Sequence, residues 1–428
     1  MPGTQTLVNE LVTKLKKRRV EGSQETALLT AELLRSVISQ LKVPPTNQAE
    51  TLIEAVKSVG ELLVAANPVE LAVGNIVRRV LHIIRDEDFS VATSSAGGGD
   101  RETAEQNGFR VQTVAAGPPS RSPSLHAILD RTPDSEKAHH SSRDGDSFEG
   151  KGKSADRNAE SWKLKHDVIR AVNELIEDIN SCHEQIAEQS VELIHQNEIL
   201  LTFGRSRTVR EFLCAAKEKR RSFRVFVAEG APKYQGHALA KDLGARGLQT
   251  TVITDSAVFA MISRVNMVVV GVHAVMANGG VIGPVGLNMV ALAARKHAVP
   301  FVVVAGPHKL CPLYPQNPQV LLNEMRCPSE LLQDGEFSDC MGVCNGRGNP
   351  LLNVVNPAFD YVPPELVSLF ITDMYDHSNK LKINGLFGFL SAGHSLFCRG
   401  GYNPSFMHRL IADYYSADDL DLQKRSTS

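Results

Sequence analysis

Apolar residues recur at helical spacing through the first part of the chain. Between Thr4 and Arg19, Leu7, Leu11 and Leu15 fall four residues apart and predict an amphipathic helix. Gly22-Ser23 then offers a turn and a capping hydroxyl for a second helix through Ser39, and Pro44-Pro45 ends it. Asn67-Pro68-Val69-Glu70 supplies a capping side chain, a proline at the first helical position and a carboxylate, ahead of Leu71, Val77, Val80 and Ile84. These signals predict an N-terminal helical domain over residues 1–87.

The pattern then fails. From 88 to 160 the chain turns to Ser, Gly, Pro, Asp and Arg, as around Gly97 to Asp100 and Gly117 to Pro123, with too few large apolar residues to offset the entropy of ordering. It reads as a flexible low-complexity linker. Residues 161–196 read as a long connecting helix, on which Leu164, Val168, Val172, Leu175, Ile179, Cys182 and Ile186 alternate steps of four and three. That stripe is expected to be buried within the chain's own fold, with a seam against another subunit as the second use.

After Asn197 short apolar runs alternate with stretches of helical length. Ile199–Thr202, Arg224–Ala228, Gln249–Thr254, Met267–Gly271 and Pro300–Ala305 read as strands, the last two as the continuous Val-rich runs of a buried parallel sheet. The fold class expected is α/β: helices first, then a Rossmann-like, doubly wound, mostly parallel sheet over residues 197–428. Val265 to Ala294 carries no charge and is long enough to span a bilayer, but Asn278, Gly279, Gly280, Gly283, Pro284 and Gly286 interrupt it. A strand, a glycine-rich turn and a helix fit better.

Charge narrows the function classes. Lys plus Arg total 46 against 48 Asp plus Glu, a net charge of −2, so no global field draws nucleic acid or an anionic membrane. Seven cysteines are scattered, and the chain opens without a charged-then-apolar leader, which fits a reduced, cytosolic setting. His308, Cys311, Cys327, Cys340 and Cys344 lack the paired short spacings of structural zinc, so no metal is expected.

In an open parallel sheet ligands lie beyond the carboxyl ends of the strands. The candidates there are Gly204 to Arg207, Glu229 to Ala231, Thr254 to Ser256, His273 and the run Asn278 to Gly286. A glycine-rich turn feeding a helix can hold phosphate on free N–H groups, but this one lacks G-x-G-x-x-G, and tight packing explains it as well. Arg205, Arg207, Arg210, Arg220 and Arg221 lie in a basic stretch that reads either as a patch facing an acidic partner or as a solvated helix face. Few aromatics interleave with it, against single-stranded nucleic acid.

Several segments together carry a family resemblance: Asn197-Glu-Ile-Leu-Leu-Thr-Phe-Gly-Arg-Ser-Arg-Thr208, Val227-Ala-Glu-Gly-Ala-Pro232, Gln235-Gly236, Thr254-Asp-Ser256, Met276-Ala-Asn-Gly279 and Asn356-Pro-Ala-Phe-Asp-Tyr-Val-Pro-Pro-Glu-Leu366. The chain resembles the alpha, beta and delta regulatory subunits of eukaryotic translation initiation factor 2B, the beta branch in particular. That family is similar in turn to methylthioribose-1-phosphate and ribose-1,5-bisphosphate isomerases, which move a proton through a cysteine and an aspartate. Here Gly204 stands in place of the thiol and His273 in place of the carboxylate. The isomerases' polar loop is reduced to Asn278, Gly279 and Gly286, so these five residues read as a vestigial pocket. A glycine can neither donate nor accept the proton, so isomerase activity is only the alternative. Cys214 lies in a helical segment, too far past the strand end to replace the thiol.

The resemblance implies a non-catalytic subunit of the complex that exchanges guanine nucleotide on initiation factor 2. Its implied partners are the alpha, gamma, delta and epsilon subunits and initiation factor 2 itself, through the factor's alpha subunit, phosphorylated or not. It implies no cofactor, no direct nucleic acid, no membrane and a cytosolic location. Residues 374–399, with their apolar run Leu386 to Leu390, are extra to the family pattern. A retained intron or gene-model artefact is the first explanation, a lineage-specific contact the second.

Overall fold

The computed structural model describes residues 2–20, 22–44, 47–96, 153–315, 324–327, 330–331, 354–373, 401–420 and 422. Four helices open it: α1 (Pro2–Lys16), α2 (Ser23–Gln40), α3 (Gln48–Ala66) and α4 (Leu71–Ala96). The apolar stripes of α2, α3 and α4 meet in one core, where Leu34, Ile38, Leu52, Val56, Val77, Leu81 and Ile84 are fully buried, while Val8, Leu11 and Leu15 of α1 pack with Leu33, Val37, Leu63 and Val73 in a second cluster. Helix α4 starts at Leu71, later than its capping signal suggested. Asn67 to Glu70 form a turn instead, with the Glu70 N–H donating to the Asn67 carbonyl at 3.2 Å. That displacement matters, because it leaves Glu70 at the helix entrance rather than inside the first turn.

Helix α5 (Lys153–Glu188) is the spine of the molecule. Leu164, Val168, Val172, Leu175 and Ile179 enter the helical core, while Ile186, further along the stripe, joins the core beneath the sheet. One amphipathic face is thus used within the chain and ties the two parts together. The expected linker begins and ends inside helix: α4 continues to Ala96 and α5 starts at Lys153, so helical ends reach into 88–96 and 153–160. Residues 97–152 lie outside the described residues, as does the insertion expected at 374–399.

After the short α6 (Ser190–Leu193) comes a parallel six-stranded sheet of order β3-β2-β1-β4-β7-β9. Its strands are β1 (Glu198–Phe203), β2 (Phe223–Ala228), β3 (Gln249–Ile253), β4 (Met267–Gly271), β7 (Phe301–Val304) and β9 (Leu369–Ile371). Helices α7 (Arg207–Glu218), α8 (Gln235–Ala245), α9 (Val258–Met261) and α10 (Leu287–Lys296) connect them, and α11 (Pro404–Tyr414) follows β9. The central strands β4 and β7 carry the Val-rich runs and are buried on both faces, whereas edge strand β3 is Gln- and Thr-rich and largely exposed. A small antiparallel sheet, β5 (Ala274–Val275), β6 (Val281–Pro284) and β8 (Phe359–Val362), was not anticipated. It arises because the uncharged stretch after β4 folds back as a hairpin around Gly279 before α10 begins. Among the described residues no helix is long and apolar enough to cross a membrane.

The end of the chain returns to the beginning. Asp419 has a fully buried carboxylate that accepts from Arg85 Nε and Nη2 at 3.0 Å each and lies 3.2 Å from the Lys57 ammonium. Arg78 donates to the Leu420 carbonyl, Arg79 donates to that of Tyr414 and stacks on its ring, and Leu422 enters the helical core. Residues 417–420 and Leu422 therefore pack on the N-terminal helices, although the expected domain boundaries assigned them to the sheet unit.

Where β9 runs out, Asp373 is left with a buried carboxylate oxygen that has no hydrogen-bond partner among the described residues. Burial, with a smaller push from Asp178, raises this carboxyl to about 7 against an ordinary 3.8. The folded chain then holds a proton that the unfolded chain releases. The linked stability is complete below about pH 3.8 and is lost as pH rises toward 7. Asp373→Asn is expected to remove that loss, raising stability at pH 8 by about 2–4 kcal/mol with little gain at pH 4. Urea unfolding of both chains at the two pH values measures it, and equal gains at both would exclude a titrating Asp373.

Candidate functional site

The strand order reverses between β1 and β4, and a cavity of about 440 Å³ opens there, beyond the carboxyl ends of the strands. Phe203 to Thr208, Gly230 to Lys233, Gly271 to His273 and His308-Lys309 form its floor. The turns Gly22 to Gln24 and Asn67 to Glu70, with Arg18, cover it from the helical side. Each part of the fold supplies one wall, so the cavity depends on how the two are held together.

Gly204 sits on the floor with a positive φ of +64°, and Gly230 approaches so closely that a Cβ there would lie 3.3 Å from the Gly204 Cα. His273 is nearby, but its ring leans on Phe359 and its Nε2 lies 3.4 Å from the Val69 carbonyl and 3.7 Å from Glu70 Oε1. It thus packs at the junction between the sheet and the entrance of α4. The remaining three residues of the expected pocket lie elsewhere. Asn278 Nδ2 donates to the Tyr361 hydroxyl at 2.7 Å, and Gly279 lies against the Pro404 backbone. The Gly286 N–H, at the start of α10, donates to Asp360 Oδ2 at 2.7 Å. A carboxylate from β8 therefore fills the helix N-terminus that the sequence offered to a phosphate. The Asn278 to Gly286 loop is closed on β8, and of its residues Pro284 and Val285 line the cavity while Asn278, Gly279 and Gly286 do not.

The basic stretch does not form one patch either. Arg205 and Arg207 line the cavity, where Arg205 is 3.4 Å from Asp242 and Arg207 Nη2 is 3.4 Å from His183 Nε2. Arg210 reaches Glu211 at 2.7 Å and Asp242 at 3.5 Å, and Arg246 binds the other Glu211 oxygen at 3.1 Å. Burial pushes the Glu211 carboxyl up, but Arg210 and Arg246 outweigh it and hold it below its ordinary range. Arg220 and Arg221 lie past the end of α7, a helix of 12 residues, about 18 Å long at 1.5 Å per residue. Arg221 is committed to the Val191 carbonyl. Helix geometry thus splits a run that looks continuous in the sequence.

The sequence reading did not place several of the cavity's polar groups there, among them Glu70, His308, Lys309 and Arg326. His308 and Lys309 follow β7 directly, so the strand-end rule contained the signal. Glu70, from an element more than a hundred residues away, had none. Both His308 ring nitrogens are buried without a partner, and burial, then Lys309 and His273, keep the ring neutral well below its usual titration range. Burial also lowers the Lys309 ammonium. Three described cysteines are poor nucleophiles: burial pushes Cys182 up to about 12 and raises Cys214 and Cys311. Among the described residues no group of three or more His, Cys, Asp or Glu is placed to hold a metal ion, while Cys340 and Cys344 lie outside them.

Residues 19–374 match the Initiation factor 2 subunit family. The translation initiation factor eIF2B subunit beta of Dictyostelium discoideum is 36% identical over 95% of this chain and 94% of its own length. That of Schizosaccharomyces pombe is 34% identical over 98% of each. The crystal structure of eIF2B beta from Chaetomium thermophilum shares the fold at a TM-score of 0.61, with 24% identity, covering 98% of this chain and 93% of the other.

Proposed function

The chain belongs to the Initiation factor 2 subunit family, and from that membership we propose that it is a non-catalytic regulatory subunit of an eIF2B-type complex acting on translation initiation factor 2. The observation that carries this is the end-to-end likeness to two beta subunits, which spans the helical part, α5 and the sheet alike. An enzyme sharing only the sheet would not preserve the whole length. The cavity agrees with the reading. Gly204 at the end of β1 offers no group that could move a proton there, and His273 leans on Phe359.

In this reading the chain pairs with homologous subunits, alpha and delta, and joins gamma and epsilon, which carry the exchange reaction. It contacts initiation factor 2 and helps sense phosphorylation of the factor's alpha subunit, in the cytosol. Sensing of that kind requires two states of the assembly with different affinity for the phosphorylated factor. The junction of helical and sheet units, held by α5 and by Arg85 on Asp419, is where such states would differ.

Affinity purification of the tagged chain from its own cells tests this. Near-equal recovery of four further subunits with initiation factor 2 is the expected result, together with no turnover of methylthioribose 1-phosphate or ribose 1,5-bisphosphate. A chain recovered alone that isomerises either sugar would reverse the assignment.

A further inference from the structure

The cavity lies beyond the carboxyl ends of the strands, and the opposite end of the sheet is basic. Lys217, Lys219, Arg220 and Arg224 flank the turn into β2, Arg264 comes just before β4, and Lys296 ends α10 ahead of β7, all of them exposed. Glu218 is the one carboxylate between Lys217 and Arg224. The nearby Glu211 is taken by Arg210 and Arg246, and none of these exposed cations has a carboxylate at ion-pair distance among the described residues. Arg295, beside Lys296, is committed to the Glu365 carbonyl at 3.2 Å.

Backbone hydrogen bonds fix the order of these turns. The Asn197 N–H donates to the Ser222 carbonyl at 2.6 Å, that of Asn266 to Ile199 at 2.8 Å and that of Val268 to Pro300 at 2.9 Å. The cations therefore follow the strand order β2-β1-β4-β7, about 14 Å at the usual strand spacing. Lys217 and Lys296 stand in last helical turns, where a cation answers the helix dipole. Arg220 has no such reason. It follows α7 with φ +62°, its N–H donating to the Lys217 carbonyl at 2.9 Å and that of Arg221 to Ala216 at 3.0 Å, a Schellman turn whose usual residue is glycine. Lys219 and Arg224 also lie outside the helix.

The net charge of −2 conceals this face. Cations set in order at strand spacing match a regular ladder of negative charge, which a phosphate backbone presents and an irregular acidic peptide does not. Between Lys217 and Arg224 the only ring is that of Phe223, which is buried, so single-stranded bases have nothing to stack on there.

We propose that this amino-end face, through Lys219, Arg220, Arg224, Arg264 and Lys296, binds the phosphate backbone of double-stranded RNA without reading its sequence. The choice of RNA over DNA rests on the proposed role in translation initiation. Contacts of this kind position a chain on a duplex and carry no base specificity.

Fluorescence anisotropy of a labelled RNA duplex with the full-length chain tests it. Affinity should fall several hundredfold between about 50 and 200 mM salt, as for about five phosphate contacts. Lys219→Gln, Arg220→Gln and Arg264→Gln together should weaken binding about a hundredfold or more at low salt and flatten the salt slope by about 1 per charge removed. Lys16→Gln, Lys17→Gln and Arg19→Gln remove the same charge from exposed positions around the end of α1, and should change affinity by no more than about twofold. Equal losses in the two variants, no binding at low salt, or tighter binding of a DNA duplex, a single strand or a glutamate-rich peptide would overturn the proposal. Competition among these probes on the unaltered chain decides the matter even if a variant fails to fold. Subunit recovery is a separate measurement, so failure of either reading is distinguishable from failure of the other.

Discussion

Phe370→Ala is expected to lower the stability of the sheet unit by about 3–5 kcal/mol, the range for a fully buried phenyl ring replaced by a methyl group. Phe370 is fully buried on β9, in the same core as Val367, Met407 and Ile411. Its backbone exchanges hydrogen bonds with Tyr402, N to O at 2.8 Å and O from N at 2.7 Å, so the edge of the sheet is covered there. The ring thus anchors α11 to the sheet while its own peptide anchors the strand that leads into α11. Thermal unfolding followed by circular dichroism reads the loss, and Phe370→Leu, which keeps most of the volume, should lose about a third as much. Similar effects for the two variants would mean that α11 is not packed on this ring.

Arg85→Ala should destabilise the junction between helices and sheet by about 3 kcal/mol. The variant leaves the Asp419 carboxylate buried with only Lys57 to answer its charge. The energy lost is mainly that of a charge without its partner, not the intrinsic worth of the pair. Arg85→Ala combined with Asp419→Asn should therefore recover part of the loss, a coupling that a double-mutant cycle measures. Amide exchange in residues 404–420 should speed up in the single variant, because those residues lose their tie to α4. Loss of stability without faster exchange there would show that Arg85 acts on the helices alone.

Much of the architecture was legible because it rests on local rules. The Val-rich runs of β4 and β7 and the alternating steps of three and four on α5 each follow from one stretch of chain and its periodicity. Three-residue β9 and the short strands β5, β6 and β8 escaped because they are stabilised by partners distant in sequence, not by their own pattern. The helix start at Asn67 was misplaced because Glu70 is drawn toward His273, across more than two hundred residues.

The candidate site divides the same way. Gly204 and His273 were found because a parallel strand always delivers its next residues to the ligand side of the sheet. Asn278, Gly279 and Gly286 looked alike in the sequence, yet Asp360 and Tyr361 occupy the polar groups that a ligand would need. The basic stretch was a fact of composition, and only the rise of α7 separated Arg205 and Arg207 from Arg220 and Arg221.

By itself, then, the amino-acid order determined the helical and α/β parts and the family, all of which reside in short segments. The tertiary structure alone decided which polar groups remain free. Asp360 closes the glycine-rich turn, Asp419 ties the end of the chain to α4, and Lys309 is buried below the cavity. Hydrogen bonding and charge pairing saturate through space, so a side chain's chemistry is settled by whichever distant partner reaches it first.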